Sequence, residues 1–283
     1  MHLDIQVTGG VVRGGTEGDL SVFRGIPYAA SPIRFGTPQP VQAWDGGREA
    51  TRFGPPPPQS AAFGVDALVE EGDDWLTVNV WSPDLGGGLP VMVWIQGGAY
   101  MFGMSGLPEY DGGNLARGGV VLVTFNYRVG LEGFGYVEGM PANRGLLDQV
   151  AALEWVQHNI SAFGGDPGRV TVFGQSAGGG SVAALLAMPR AVGLFRRAIA
   201  QSAPGTYFTP ELAADITKAC AAELGLEPAE LSTVDPRLLP AAADAVLAKM
   251  GQHEGRWGRA AYARIPLAPV IEVTCYRRRR GRD

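Results

Sequence analysis

Residues Gly174 to Gly178 form the pattern Gly-x-Ser-x-Gly, with Ser176 at its centre. Such a serine becomes a nucleophile when a sharp turn lifts its hydroxyl above a sheet. The two glycines permit that turn because larger side chains would collide with neighbouring backbone. A helix that starts at the serine also presents free N–H groups, which stabilise negative charge. The pattern therefore predicts Ser176 as the nucleophile of an acyl transfer.

The residues on either side predict the strand and the helix that this turn needs. Val170, Val172 and Phe173 form a β-branched and aromatic run that is typical of a buried strand, and residues 183–186 are helix formers. The alternative is a glycine-rich turn that only packs closely, since 42 of the 283 residues are glycine. The strand before and the helix after the serine favour the nucleophile.

A second segment offers hydrogen-bond donors for the negative charge that such an attack creates. Residues 91–96 read as a buried strand that ends at Gly97, Gly98 and Ala99, whose small side chains leave the backbone N–H groups open. Each donor to a developing oxyanion contributes about 3 kcal/mol to transition-state stabilisation. The alternative is a flexible loop at a strand end, where glycine pairs are common.

Seven long segments cover most of the chain: FRGIPYAASPIRFGTPQPVQAW (23–44), DDWLTVNVWSP (73–83), VMVWIQGGAYMFG (91–103), VVLVTFNYRVGLEGFG (120–135), NRGLLDQVAALEWVQHNISAFGGDP (143–167), VTVFGQSAGGGSV (170–182) and LFRRAIAQSAP (194–204). In these segments and in their order the chain resembles the type B carboxylesterases, the cholinesterase-like branch of the α/β-hydrolases, over almost its whole length. The resemblance implies an α/β-hydrolase fold, with a mostly parallel central sheet, helices on both faces and the C-terminal part missing.

The same resemblance implies a role for each residue of the two segments. Ser176 is the expected nucleophile, and the expected oxyanion-hole donors are Gly98, Ala99 and Ala177. The expected supporting residues are Gly97, Gly174, Gln175 and Gly178. Two positions depart from the family pattern: Gln175 stands where Glu is usual, and Gln96 stands where His or Tyr is frequent. Neither departure removes a catalytic group.

The base that must take the serine proton is not found in the chain. In α/β-hydrolases the order along the chain is Ser, then Asp or Glu, then His, and the family places both later members beyond the last residue of this sequence. The three histidines are His2, His158 and His253. Only His253 follows Ser176, and it matches no catalytic motif, so we expect all three to be solvated or packed.

The carboxylates offer no orienting acid either. Asp148 and Asp166 precede Ser176 and resemble positions that shape the family scaffold. Glu254 and Glu272 follow it without a matching motif. The acid and the base therefore stay unassigned, and the chain as written is expected to be weakly active or inactive.

Residues 1–271 are expected to form a partial carboxylesterase domain, followed by a non-homologous tail at 272–283, EVTCYRRRRGRD. Four consecutive arginines would suit nucleic acid or targeting. However, the preceding IPLAPVIE leads in this family into a segment like Asp-Gly-Asp-x-Leu-Pro. Read from the last base of the Glu272 codon, with permitted third bases, residues 273–282 become Gly-Asp-Leu-Leu-Pro-Pro-Pro-Pro-Arg-Pro.

A frameshift near Glu272, real or from a sequencing error, is therefore predicted in place of a functional basic tail. Sequencing the gene is expected to show one missing base there. The alternative frame should then continue for a long stretch that carries an acid and a later histidine. An alternative frame that closes early would contradict the prediction.

Composition excludes several classes of protein. The formal net charge is −5, which argues against nucleic acid or an anionic membrane as a partner. The N-terminus shows no basic region followed by an apolar core, and no apolar run is long enough to span a bilayer. Two cysteines cannot form a disulfide framework, so a cytoplasmic location is expected. The expected partner is a small-molecule ester, without metal or organic cofactor.

Alternating patterns predict the elements that carry the site. A hairpin is expected near residues 5–14, and FGPPPPQ at 53–59 reads as a surface loop. The predicted strands cover 78–82, 91–96, 120–125, 170–173 and 197–201, and the predicted helices cover 143–161, 211–223 and 239–250, with a start at Thr209 and Pro210. A sheet that ends midway leaves a strand edge exposed, so self-association through that edge is expected.

Two classes of function follow from the sequence. The first is a serine carboxylesterase that works through an acyl-serine intermediate. The second is a cholinesterase-like scaffold that binds without catalysis. The intact Ser176 turn favours the first class, and the absent histidine favours the second for this polypeptide.

Overall fold

The computed structural model describes residues 2–61 and 72–271, and within them nine strands form one sheet. The strands are β1 Leu3–Val7, β2 Gly10–Glu17, β3 Leu20–Pro27, β4 Gly47–Glu49, β5 Thr77–Ser82, β6 Leu89–Ile95, β7 Val121–Phe125, β8 Gly165–Gln175 and β9 Arg197–Gln201. The α-helices are α1 Gly113–Arg117, α2 Gly130–Phe134, α3 Arg144–Asn159, α4 Ala177–Ala187, α5 Pro210–Glu223, α6 Leu239–Lys249, α7 Glu254–Trp257 and α8 Arg259–Tyr262. The predicted tail at 272–283 lies outside the described residues.

The sheet order is β1-β2-β3-β5-β7-β6-β8-β9, and β4 pairs with β2. Strands β7, β6, β8 and β9 run parallel to one another, whereas the N-terminal strands β1, β2, β3 and β5 join by antiparallel pairing. The predicted opening hairpin is present as β1 and β2. The parallel part carries Ser176 at the carboxyl end of β8.

The central strands form because their residues suit a sheet that is covered on both faces. Every residue of β5 and of β7 is buried, including the β-branched and aromatic run VLVTF. Parallel and central strands of this kind read as continuous apolar stretches. The polar Asn79 and Thr124 are buried among them because the Asn79 amide donates hydrogen bonds to Thr124 Oγ1 (2.9 Å) and Ser105 Oγ (3.0 Å).

The predicted helices are present with small changes at their ends. Helix α3 covers 144–159 and continues as a 3₁₀ turn to Phe163, so the expected end at residue 161 falls within that turn. Helix α5 starts where Thr209 and Pro210 predict, because the Thr209 hydroxyl accepts a hydrogen bond from the Leu212 N–H (3.3 Å).

Helices α5 to α8 form a helical region that is fastened to the sheet domain. The Arg34 guanidinium is ion-paired with Glu132 of α2 and donates to the carbonyls of Val234 and Leu231, the latter at 3.1 Å. The Ser60 hydroxyl is hydrogen-bonded to Asp244 of α6. The Arg34 contacts hold the helical region against α2. The Ser60 contact holds it against the proline-rich segment that ends near residue 60.

The proline-rich segment at 53–59 is more closely packed than its sequence predicts. Most of its residues are half-buried, and Pro57 is buried. The Asn126 side chain donates to the Pro55 carbonyl (3.1 Å), and the Phe53 ring lies against Trp81 and the Arg24 guanidinium. The segment therefore covers part of the sheet domain instead of standing free in solvent.

Strand β9 is the last strand of the sheet, and it pairs on one side only among the described residues. Four of its five residues are exposed, and Ala198 is half-buried. Among the helices that the structure describes, none is long and apolar enough to cross a membrane.

Candidate active site

Ser176 occupies a strained turn between β8 and α4. Its backbone angles are φ 56° and ψ −124°, a left-handed region that costs a residue with a side chain about 1–3 kcal/mol. The turn is held because the Ser176 N–H donates to the Gln201 carbonyl of β9 (2.9 Å) and the Ser176 carbonyl accepts from the Gly180 N–H (2.9 Å). The serine is exposed at the carboxyl end of the parallel strands.

The glycines of the turn are required by close backbone contacts. A Cβ at Gly178 would lie 2.0 Å from the carbonyl oxygen of Ile95, and one at Gly174 would lie 2.7 Å from the Gly178 carbonyl carbon. Both distances are far shorter than any real Cβ contact, so strand β6, strand β8 and helix α4 meet too closely here for a side chain. This packing fixes the position of Ser176 relative to the end of β6.

The segment after β6 lies beside the serine. A Cβ at Gly97 would be 3.3 Å from Ser176 Cβ and 2.8 Å from the Gln175 carbonyl oxygen. The next three residues, Gly98, Ala99 and Tyr100, all have left-handed backbones, with φ 122°, 52° and 60°. The structure therefore brings the second predicted segment next to Ser176, and it holds that segment in a strained loop.

Three backbone N–H groups beside Ser176 are left free by the described residues. Within the residues that the structure describes, the N–H groups of Gly98, Ala99 and Ala177 donate no hydrogen bond. Ala177 is also the first residue of α4, so its N–H lies at the positive end of the dipole of an 11-residue helix. Such a group of donors suits a negatively charged oxygen.

Tyr100 fixes the loop that follows β6 to the neighbouring helices. Its carbonyl accepts from the Gly130 N–H (2.7 Å), and its ring lies 4.5 Å from the Phe134 ring. Its buried hydroxyl is hydrogen-bonded to Ser181 of α4, which accepts in turn from the Gln149 amide (3.1 Å). Burial raises the pKa of Tyr100, so this hydroxyl stays neutral. The loop is thereby tied to α2, α3 and α4, a network that the sequence analysis did not identify.

The segment around Gln59 holds the far end of the loop. The Gln59 side-chain carbonyl accepts from the Gly103 N–H (2.9 Å), and the Ser60 N–H donates to the Met101 carbonyl (2.9 Å). Sequence reasoning missed this role because the proline run before it resembles an exposed turn. The Pro-Gln-Ser sequence carries no local signal for a contact with a loop more than 40 residues away.

The two residues that depart from the family pattern differ in environment. Gln175 is exposed beside Ser176. Gln96 is completely buried, and its backbone carbonyl accepts from the Tyr127 hydroxyl (2.7 Å). Neither the nitrogen nor the oxygen of the Gln96 amide has a hydrogen-bond partner among the described residues. A buried amide of this kind costs about 1–3 kcal/mol.

Among the described residues, none of the candidate bases forms a hydrogen bond with Ser176 Oγ, and each has other surroundings. His158 is exposed on α3, and the His253 ring packs 4.4 Å from the Trp257 ring beside α7. Asp148 is buried against an arginine, and the Asp166 carboxylate accepts from the Gly168 N–H (2.8 Å) in a turn.

Glu254 and Glu272, the two acidic residues that the sequence analysis named after Ser176, also stay without a catalytic assignment. Glu254 is an exposed residue at the start of α7, and Glu272 lies outside the described residues. Residues 2–61 and 72–271 hold no group of three or more histidine, cysteine or acidic side chains that could bind a metal ion.

The model of the carboxylesterase family matches residues 2–279. This chain belongs to the carboxylesterase family. The match runs past residue 272, where the sequence analysis places the start of the tail.

Two bacterial relatives of this chain are named as an esterase and as a hydrolase. The chain is 45% identical over 258 residues to a para-nitrobenzyl esterase of Bacillus subtilis (strain 168), covering 86% of this chain and 53% of the relative. It is 40% identical over 289 residues to a phenmedipham hydrolase of Pseudarthrobacter oxydans, covering 94% of this chain and 57% of the relative. The chain thus spans about half the length of the curated relatives it matches.

Solved structures show the same fold. A thermophilic pNB esterase superposes with a TM-score of 0.87 at 40% identity, over 98% of this chain and 59% of that one. The carboxylesterase EST55 of Geobacillus stearothermophilus gives a TM-score of 0.83 at 38% identity, over 97% of this chain and 57% of that one. The predicted α/β-hydrolase fold, represented by its N-terminal portion, is confirmed.

Proposed function

We propose that this chain carries the nucleophile and the oxyanion hole of a serine carboxylesterase. The observation that supports this proposal most strongly is the placement of exposed Ser176, at φ 56°, beside the N–H groups of Gly98 and Ala99, which have no partner among the described residues. A strained backbone of this kind persists only where its surroundings hold it. Here the close contacts of Gly174, Gly178 and Gly97 hold it.

The reaction that this arrangement supports is a two-step acyl transfer. Ser176 Oγ attacks the ester carbonyl carbon, and the carbonyl oxygen becomes an oxyanion that accepts from the N–H groups of Gly98, Ala99 and Ala177. The alcohol leaves with a proton, and water then attacks the acyl-serine to release the acid. The attack needs a base for the serine proton. The residues that the structure describes place no histidine there to take it.

A binding scaffold without catalysis is the weaker candidate. A scaffold has no use for a strained serine or for a loop with three consecutive left-handed residues, both of which cost stability. The named relatives of this family member are hydrolases. We therefore assign the substrate class as carboxylic esters.

A covalent fusion tests the assignment. Residues 1–271 are joined to the part of the Bacillus subtilis para-nitrobenzyl esterase chain that follows its match to this sequence. We expect the fusion to hydrolyse p-nitrophenyl acetate with an initial burst of p-nitrophenol, because an acyl-serine accumulates. We also expect a fluorophosphonate to label Ser176. The Ser176→Ala fusion should lose about 10⁶-fold in kcat.

The matched control is Ser161→Ala, which removes another exposed serine hydroxyl from the same chain. This variant should keep its activity. A folded fusion that hydrolyses no ester, or one that keeps its activity after Ser176→Ala, would show that Ser176 is not the nucleophile.

A cytoplasmic location belongs to the same proposal. Cys220 is buried in α5, and burial raises the pKa of its thiol to about 12, so it is an inert thiol. Cys275 lies outside the described residues. Free thiols of this kind suit a reducing compartment.

A further inference from the structure

The loop 97–103 after β6 carries two of the proposed oxyanion donors, and its backbone is strained. Ala99 and Tyr100 both have left-handed backbones, which persist only where the surrounding structure fixes them. The Met101 N–H donates to the Gly98 carbonyl (2.8 Å), a bond that joins the loop only to itself. The contacts that attach the loop to other elements therefore determine where its donors lie.

Helix α2 attaches the first half of the loop. The Gly130 N–H, at the start of α2, donates to the Tyr100 carbonyl (2.7 Å). The Phe134 ring, at the end of α2, lies 4.5 Å from the Tyr100 ring. Both ends of this five-residue helix thus touch Tyr100. A displacement of α2 would move the residue that directly follows the donors of Gly98 and Ala99.

Arg34 joins α2 to the helical region α5 to α8. Its guanidinium is ion-paired with the buried Glu132, in the middle of α2. The same guanidinium donates to the carbonyls of Leu231 (3.1 Å) and Val234, which lie between α5 and α6. A guanidinium can bind a carboxylate and two carbonyls at once because its five N–H groups form a rigid planar fork.

Asp244 of α6 holds the second half of the loop. Its carboxylate accepts a hydrogen bond from the buried Ser60 hydroxyl. The Ser60 N–H donates to the Met101 carbonyl (2.9 Å), and the side chain of the preceding Gln59 accepts from the Gly103 N–H (2.9 Å). A hydrogen bond between two side chains thus connects α6 to the segment that holds the end of the loop.

A third polar contact of the helical region lies in the same place. The Thr217 hydroxyl oxygen of α5 accepts from the Tyr136 N–H (2.9 Å), two residues beyond the end of α2. A helical region that merely covered the core could form such contacts anywhere on the domain. These three contacts fall on or beside the two supports of the loop, α2 and residues 59–60. The packing of the helical region and the position of the oxyanion donors are therefore coupled.

We propose that the helical region positions the oxyanion loop, and that Arg34 and Asp244 are the positioning residues that connect the two. Arg34 acts through Glu132 and α2, and Asp244 acts through Ser60. The catalytic meaning of this inference rests on the proposed function, whereas the mechanical connection does not. A misplacement of about 1 Å at a reacting centre can cost about 10²-fold in rate, so a loosened loop lowers kcat.

Amide hydrogen exchange of the full chain tests the connection without any need for catalysis. The Gly130 and Gly103 N–H groups report the two attachments of the loop, and the amides of β6 and β8 report the sheet. We expect Arg34→Met to speed exchange at Gly130 at least about tenfold, with the strand amides unchanged. Asp244→Ala should do the same at Gly103. Equal acceleration at all these amides would indicate global destabilisation and would overturn the inference.

Conservative variants separate the hydrogen bonds from the charges. Asp244→Asn keeps an oxygen that can accept the same hydrogen bond, so its exchange should stay close to that of the parent. Arg34→Lys keeps the charge but loses the planar fork, so it should resemble Arg34→Met. Arg256→Met is the matched control, because Arg256 is paired with Asp215 (2.7 Å) inside the helical region. It should leave exchange in the loop unchanged.

The covalent fusion tests the consequence for catalysis. Arg34→Lys and Asp244→Ala should each lower kcat for p-nitrophenyl acetate at least about tenfold with KM nearly unchanged, because an oxyanion forms in both steps but not in the bound ester. Faster exchange with an unchanged kcat would overturn the positioning role, and unchanged exchange would overturn the connection. A fusion that hydrolyses no ester contradicts the proposed function, and the exchange rates then still decide the connection.

Discussion

Expressed alone, this chain is expected to hydrolyse p-nitrophenyl acetate at no more than about 10³ to 10⁴ times the rate in water. The reason is chemical: a serine hydroxyl is a weak nucleophile until a base takes its proton, and none of the candidate bases among the described residues is hydrogen-bonded to Ser176 Oγ. The acceleration that remains is expected from the proposed oxyanion donors, the N–H groups of Gly98, Ala99 and Ala177. The initial rate of p-nitrophenol release measures it.

Ser176→Ala is the control for this expectation. Because the residual rate depends on the donors and on binding, the variant should differ little from the parent chain. A turnover typical of complete esterases that disappears in Ser176→Ala would contradict the prediction. It would also indicate that His253, or a partner chain, acts as the base in solution.

Local patterns predicted the part of the fold that carries the serine. Strand 197–201 has the predicted bounds, and helix α5 starts after Thr209 because the cap and Pro210 act within one turn. The glycines at 174 and 178 also predicted a close backbone approach at the turn. The structure shows that strand β6, strand β8 and helix α4 meet there. In each case a signal within a few residues was enough. The helix start is set by its cap and by Pro210, and glycine at 174 and 178 is required because no side chain fits there.

Contacts between distant residues set the features that sequence reasoning missed. The Tyr100 hydroxyl reaches Ser181, and Gln59 receives the Gly103 N–H, only after three separate elements have packed. The buried amide of Gln96 is a second example of a feature that the sequence alone does not predict. The resemblance to the family marks Gln96 only as a departure at the head of the loop. The structure shows that both of its amide atoms are buried without partners among the described residues.

Asp148→Ala is expected to lower the free energy of unfolding by about 3–5 kcal/mol, the largest stability change that we predict. The Asp148 carboxylate is completely buried and accepts from the Arg128 N–H (3.0 Å), Nε (2.8 Å) and Nη2 (2.7 Å). Without it, the guanidinium of Arg128 stays buried with the Gly36 carbonyl (2.8 Å) as its one remaining acceptor among the described residues. Urea unfolding followed by circular dichroism measures the loss.

Asp4→Ala is the matched control, because Asp4 forms its ion pair with Arg13 (2.9 Å) at the surface. There the Arg13 side chain is 36% exposed and the Asp4 side chain is 50% exposed. Surface pairs contribute about 0–1 kcal/mol, so this variant should unfold almost as the parent does. An Asp148→Ala loss as small as that of Asp4→Ala would contradict the prediction.

The double variant Arg128→Met with Asp148→Leu separates the cost of a lone buried charge from the worth of the pair. Replacing both members of a buried ion pair by apolar side chains of similar volume is often neutral for stability. We therefore expect the double variant to recover most of the loss caused by Asp148→Ala. The position also bears on the proposed site, since Arg128 precedes Gly130, whose N–H holds the Tyr100 carbonyl. A double variant as unstable as Asp148→Ala would show instead that the hydrogen bonds to backbone at this corner, and not the buried charge, determine its stability.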